Sequence, residues 1–123
     1  FPKNSGGFTP LLFAAQQGDV ESAQLLVAAG AKVDDASPED GTPLVVAAHS
    51  GREKLALFLL DKGADANARN DYDATPLSEA AVTGNIAVIR ALLKAGADAN
   101  TRNPEGETPL MAVARSGSAA RVA

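Results

Sequence analysis

Apolar residues in this chain come in short segments, and the pattern is clearest between residues 40 and 68. Residues 44–48 are uniformly apolar and directly follow Thr42 and Pro43. A threonine hydroxyl can cap the free N–H groups at the start of a helix, and proline suits the first helical position. Glycine is typical just after a helix C-terminus. The pattern therefore predicts a short helix that begins at Pro43 and ends near Gly51.

A second apolar pattern follows in the same stretch. Leu55, Phe58 and Leu59 recur at helical spacing, and Gly63 is placed to end that helix. Residues 65–73 are rich in Asn, Asp and Ala, which is typical of a turn. Helices of about two to three turns are not stable alone in water. We therefore expect helix pairs that are stabilised by packing on neighbouring pairs.

The whole pattern recurs every 33 residues, because Thr-Pro-Leu begins at Thr9, Thr42, Thr75 and Thr108. A fixed period of this size predicts a stack of identical supersecondary units. We interpret the periodic residues as structural, not as a site. Those that keep the step are the glycines at 18, 51, 84 and 117 and at 30, 63 and 96, the leucines at 26, 59 and 92, and the Ala-Ala pairs beginning at 14, 47 and 80.

The repeating unit resembles the ankyrin repeat. The family pattern of Thr-Pro-Leu, Ala-Ala, a glycine, Leu-Leu and Gly-Ala-Asp-x-Asn stands in this chain at residues 75–77, 80–81, 84, 92–93 and 96–100. The second copy carries the last two motifs at 59–60 and 63–67, and the first copy has a weaker version at 25–26 and 30–34. The resemblance implies an all-α fold, an ankyrin-type α-solenoid of stacked helix-turn-helix repeats with projecting β-turn loops.

The resemblance places residues 1–123 in a single ankyrin repeat domain. Its repeats span approximately 4–36, 37–69 and 70–102, with a partial fourth at 103–123. The last repeat stops partway through its second helix, and neither end has the polar outer face that terminal repeats normally carry. We expect flanking repeats or another domain in the intact protein, and a monomeric array.

Two departures from the family pattern bear on the turns. Ankyrin repeats often carry a histidine after Thr-Pro-Leu that supports the loop, so other contacts must hold the loop in this chain. The residues at that position here are Leu12, Val45, Ser78 and Met111. The glycine two residues before the threonine is kept as Gly7 and Gly106 but is replaced by Asp40 and Asp73. We expect both aspartates to adopt the left-handed conformation, which Asp tolerates better than most residues.

Composition excludes several classes of function. The formal charge is -4, and the eleven basic residues form no block or stripe, so we expect no nucleic-acid partner. No apolar run approaches membrane-spanning length, so we expect no membrane partner. Cysteine is absent, which excludes disulfides and thiolate metal sites but leaves the compartment open.

The sequence carries no motif for catalysis or for a cofactor. It has no nucleophile elbow, no phosphate-binding Gly-Lys loop and no histidine-metal motif. His49 is the only histidine, and we expect it at the surface without a metal. Residues 65–71 faintly resemble a calcium loop, but the glycine and the closing glutamate are missing and the turn accounts for the same residues. Some ankyrin repeats are hydroxylated at positions matching Asn67 and Asn100, where asparagine chiefly braces the turn.

The resemblance implies binding of another protein through the hairpin tips and the concave face of the first helices. These positions vary from repeat to repeat. A scaffold residue must recur in every repeat, whereas a residue that contacts a partner need not. The candidate partner-binding residues are Phe8, Phe13, Gln16, Gln17, Glu39, Val46, His49, Asp71, Tyr72, Glu79, Val82, Glu105 and Arg115.

Aromatic residues are the main candidates within this set, because buried aromatic anchors dominate interface energies. Phe8, Phe13 and Tyr72 map to the concave face, although Phe8 and Phe13 could instead cover an exposed N-terminal edge or pack on a preceding repeat. The concave face is expected to mix arginines at 69, 102 and 115 with carboxylates at 71, 79 and 105, which predicts binding that tolerates salt fairly well. The sequence thus indicates a non-enzymatic protein-interaction module; the alternative is a regulatory or spacer segment of a larger multidomain protein or enzyme.

Overall fold

The computed structural model of the chain describes residues 8–102 and 105–116. Within those residues the only regular elements are helices, which confirms the all-α prediction. The first helices and the second helices of the repeats form two rows, each helix packing on its neighbours along the row. The helices are α1 Pro10–Gln17, α2 Val20–Ala28, α3 Pro43–His49, α4 Glu53–Asp61, α5 Pro76–Thr83, α6 Ile86–Lys94 and α7 Pro109–Ser116.

The predicted threonine caps begin all four first-row helices that the structure describes. The Oγ1 atoms of Thr9, Thr42, Thr75 and Thr108 accept a hydrogen bond from the backbone N–H three residues later, at 3.2, 3.4, 3.1 and 3.4 Å respectively. Proline occupies the first turn in each case. Gly18 and Gly84 end α1 and α5 in the left-handed conformation. The helix boundaries therefore follow from the periodic residues, as the sequence predicts.

The core lies between the two rows of helices. The three Ala-Ala pairs are buried on α1, α3 and α5, where their small side chains let adjacent helices approach closely. Leu59 and Leu92 are fully buried on α4 and α6. The equivalent Leu26 on α2 is only partly buried, because no other described helix packs on the outer side of the first pair.

The residues that replace the family histidine hold the loops in two ways. Ser78 forms a capping box: its Oγ accepts from the N–H of Thr75 at 2.9 Å and donates to the carbonyl of Thr75 at 2.9 Å. Leu12 and Val45 are instead buried completely or almost completely, so apolar packing replaces the polar support. Met111 is half exposed in the last repeat.

The left-handed residue differs between the two hairpins at 37–41 and 70–74. Asp73 has φ 60 as predicted, but the prediction for Asp40 is wrong, because Gly41 takes the left-handed conformation instead, with φ 86. Ser37 and Gly41 exchange two backbone hydrogen bonds of 3.1 and 2.7 Å, which shift the turn by one residue. Gly106 is left-handed, with φ 81, and Gly7 lies outside the described residues.

Candidate functional site

The inner helices and the hairpins border an open groove of about 420 Å³, which we call the concave groove. Its walls are the hairpins 37–41 and 70–74, and its floor is α3. Seven of the thirteen sequence-predicted residues line it: Phe8, Gln16, Glu39, Val46, His49, Tyr72 and Glu79. The other lining residues are Asp40, Val45, Ser50, Asn70 and Ala74.

The second hairpin holds Tyr72 at the rim of the concave groove. The Oδ1 atom of Asn70 accepts from the N–H groups of Tyr72 at 2.9 Å and Ala74 at 3.1 Å, which fixes the turn. The N–H of Asp71 donates to the carbonyl of Pro38 at 2.9 Å and joins the two hairpins. The Tyr72 side chain is nevertheless 65% exposed. A large aromatic surface is therefore presented on a well-anchored loop.

The floor of the groove combines an apolar base with a polar pair. Val46 is only 8% exposed, so it offers little contact area of its own although it lies at the surface of the groove. His49 Nδ1 lies 3.3 Å from Glu79 Oε2, which links α3 to α5. His49 is strongly exposed, as the sequence predicts, whereas Glu79 is mostly covered.

Apart from His49, the ionisable side chains that line the groove are carboxylates. Glu39, Asp40 and Glu79 are the lining carboxylates, and no described lysine or arginine lines the groove. Arg69 instead approaches Asp73 at 3.9 Å in its own hairpin. Arg102 Nη1 donates to the carbonyl of Gly106 at 2.7 Å.

The structure separates Phe13 and Gln17 from the concave groove. They line a second depression of about 400 Å³, together with Leu25 and Leu26 on α2. No residue of the next helix pair lines this depression, so it lies on the side of the first helix pair that faces away from the second pair. Phe13 is 57% exposed there. This placement agrees with the alternative in which Phe13 covers an N-terminal edge, whereas Phe8 is partly buried and lines the groove.

Asp71, Val82 and Glu105 are not among the residues that line either depression. Asp71 is exposed on its hairpin, Val82 on α5 and Glu105 in the last turn. The side chain of Arg115 lies outside the described residues. The prediction missed Asn70, although an asparagine at the start of a turn commonly accepts from the N–H two residues later, and that habit could have identified it.

The residues of the faint calcium pattern serve the turns. Asp65 Oδ1 accepts from the N–H of Asn67 at 2.9 Å. Asn67 in turn reaches the next repeat, because its Oδ1 accepts from the N–H of Asp98 at 2.8 Å and its Nδ2 donates to the carbonyl of Gly96 at 3.1 Å. Asn67 therefore braces the turn. Residues 8–102 and 105–116 contain no cluster of three or more potential metal-ligating side chains and no helix long and apolar enough to cross a membrane.

The geometry agrees with what comparison with known proteins finds. Residues 2–70 match the family described as ankyrin repeats (3 copies), and residues 59–111 match one described as ankyrin repeats (many copies). The chain is also similar to a protein named probable E3 ubiquitin-protein ligase XBOS32 from Oryza sativa subsp. japonica, with 55% identity over 40 residues. That similarity covers 32% of this chain and only 8% of the rice protein.

Proposed function

This chain belongs to the ankyrin repeat family, and we propose that it is a non-enzymatic module that binds another protein through the concave groove. Ankyrin repeats are generally protein–protein interaction modules. One observation carries the proposal: the groove gathers residues from two hairpins and three helices that differ between repeats, while the periodic Ala-Ala pairs and the leucines at 59 and 92 lie in the core. The partner is an unidentified protein.

The mechanism we propose is recognition by a preformed surface. The hydrogen bond between Asp71 and Pro38 joins the hairpins, and Asn70 fixes the loop that carries Tyr72. When loops and side chains become ordered on binding, the loss of conformational entropy weakens the affinity. A rim that is already held by these bonds reduces that loss.

We expect Tyr72 to be the main anchor. Its exposed ring would lose most of its accessible surface in a complex, and aromatic truncations at interface centres typically weaken binding by about 1–3 kcal/mol or more. Phe8 lines the same groove but is partly buried already, so it has less area left to bury. Tyr72→Ala is therefore the more informative substitution.

The test is capture of a partner from the source organism, followed by calorimetric titration of that partner against variants. Tyr72→Ala should weaken binding by about 1–3 kcal/mol. Lys54→Ala, on α4 outside the groove, should change it by far less. Phe13→Ala is the matched aromatic control, since Phe13 is similarly exposed but lines the other depression. Binding lost with Lys54→Ala but kept with Tyr72→Ala would contradict the groove assignment.

A second proposal is that the repeats form a regulatory or spacer segment of a larger multidomain protein or enzyme. It is favoured by the rice relative, which bears the name of a probable ligase and of which this chain covers 8%. The full open reading frame tests it. An adjoining catalytic domain whose activity changes when residues 8–116 are deleted would support a regulatory role, and an unchanged activity would contradict it.

A further inference from the structure

The concave groove has an acidic lining. Glu39, Asp40 and Glu79 each contribute a carboxylate, while His49 is the one described lining residue that could carry a positive charge. Opposite charges across an interface favour the correct partner, and like charges placed together disfavour the wrong one. The lining therefore selects against an acidic segment.

Arg69 and Arg102, which stand at equivalent positions of two repeats, do not offset these carboxylates. Arg69 is directed to Asp73, and Arg102 is held by the carbonyl of Gly106 in the following turn. Neither lines the groove. The formal charge of the whole chain, -4, has the same sign as the groove and would add to the attraction of a cationic segment.

The aromatic residues of the groove suit the same kind of partner. Tyr72 presents a mostly exposed ring at the rim, and Phe8 lies on another part of the lining. Arginine and lysine side chains are attracted to the faces of aromatic rings, and their long apolar stems pack on apolar surface. Val45 and Val46 lie at the base but are almost fully buried, so the two aromatic residues supply most of the apolar contact surface.

We infer that the partner presents a basic segment, an extended peptide containing lysine or arginine, to the concave groove. This inference rests on the proposed binding function and specifies its partner. The groove volume of about 420 Å³ is near the low end of the usual range for ligand pockets, about 300–1,000 Å³. It has room for a few side chains of one segment.

The probes are three sets of fluorescent peptides of about ten residues, titrated with the chain by fluorescence anisotropy. The sets share their apolar positions and differ only in carrying Lys and Arg, Gln and Ser, or Asp and Glu at the other positions. We expect the basic set to bind most tightly, with an affinity that falls as salt is raised from about 50 to 300 mM, where screening is stronger.

A matched pair of double variants separates the groove from general charge. Glu39→Gln with Glu79→Gln removes two carboxylates from the groove, and Glu53→Gln with Asp61→Asn removes two from α4. We expect the first to weaken binding of the basic peptides about twofold to thirtyfold, as the loss of two ion pairs in a solvent-open groove would. The second should leave binding within about twofold.

The outcomes distinguish this inference from the proposed function. Equal binding of neutral or acidic peptides, no binding by any set, or equal weakening by both double variants overturns the basic-partner inference. If neutral peptides bind and Tyr72→Ala abolishes that binding, the inference fails while the groove proposal stands. The groove proposal itself fails if the captured partner binds the Tyr72→Ala variant as tightly as it binds the unmodified chain.

Discussion

The side chain of Asn67 makes a sharp prediction about how neighbouring repeats are joined. It accepts from the N–H of Asp98 and donates to the carbonyl of Gly96 in the following repeat. One repeat earlier, Asp34 Oδ1 accepts from the N–H of Asp65 at 3.0 Å, but a carboxylate has no N–H to offer to a carbonyl. At the junction between the first two repeats, the Asp34 side chain therefore only accepts a hydrogen bond. At the junction between the second and third repeats, the Asn67 side chain both accepts and donates one.

We expect Asn67→Asp and Asp34→Asn to change the free energy of unfolding in opposite directions. Asn67→Asp removes the bond to Gly96 and places a carboxylate oxygen beside that carbonyl. A typical intramolecular hydrogen bond contributes about 0.5–1.5 kcal/mol net, and this exposed one belongs at the low end, so we expect a loss of about 0.5–1 kcal/mol. Asp34→Asn adds the missing donor, but it replaces a charged acceptor by a neutral one. We expect a smaller gain of at most about 0.5 kcal/mol.

The assay is urea unfolding followed by circular dichroism, with free energies extrapolated to water. Asn100→Asp is the matched control, because the Asn100 side chain makes no hydrogen bond within the described part of the chain. It should leave the free energy of unfolding nearly unchanged. If Asn67→Asp and Asn100→Asp have the same midpoint, the bond across the junction contributes nothing and the reasoning is refuted.

Three further predictions test the caps and turns. Gly63 has φ 87 and no neighbouring atom within 4 Å of the position that a Cβ would occupy, so Gly63→Val should lose about 1–2 kcal/mol to backbone strain alone and Gly63→Asn clearly less, as measured by urea unfolding. Thr75→Ala should cost about 1 kcal/mol and exceed Thr42→Ala, whose cap bond is longer; equal thermal shifts would contradict this. Hydrogen bonds from Ser22 lower the pKa of Asp19 below its ordinary value of 3.8. The stabilisation by the Asp19 carboxylate is therefore present above pH 3.8 and lost as the pH falls through the lower pKa of the folded state. In Asp19→Asn, the melting temperature should fall less steeply as the solution is acidified.

The repeating framework could be predicted from the sequence because each scaffold position is constrained in the same way in every copy. Thr42 and Thr75 cap their helices, and Gly63 and Gly96 are left-handed as the period predicts. Short helices of this kind depend on stacking, so the residues that permit stacking must recur. Periodicity is therefore direct evidence for packing.

The hairpins and the groove could be predicted only in part. Whether Asp40 or Gly41 becomes left-handed depends on the closing hydrogen bonds with Ser37, which no single position reveals. Phe13 and Phe8 are close in sequence, yet the direction of each side chain places them on different surfaces. The acidic lining likewise depends on the contacts that the side chains of Arg69 and Arg102 make outside the groove. These features are set by local geometry that does not repeat.

The most direct test of the central claim is hydrogen exchange of the chain with and without its captured partner. Binding through the concave groove should slow exchange at the backbone N–H groups of the hairpins 37–41 and 70–74, while α4 and α6, which do not line the groove, keep their rates. Protection confined to α4 and α6, with both hairpins unchanged, would contradict the account.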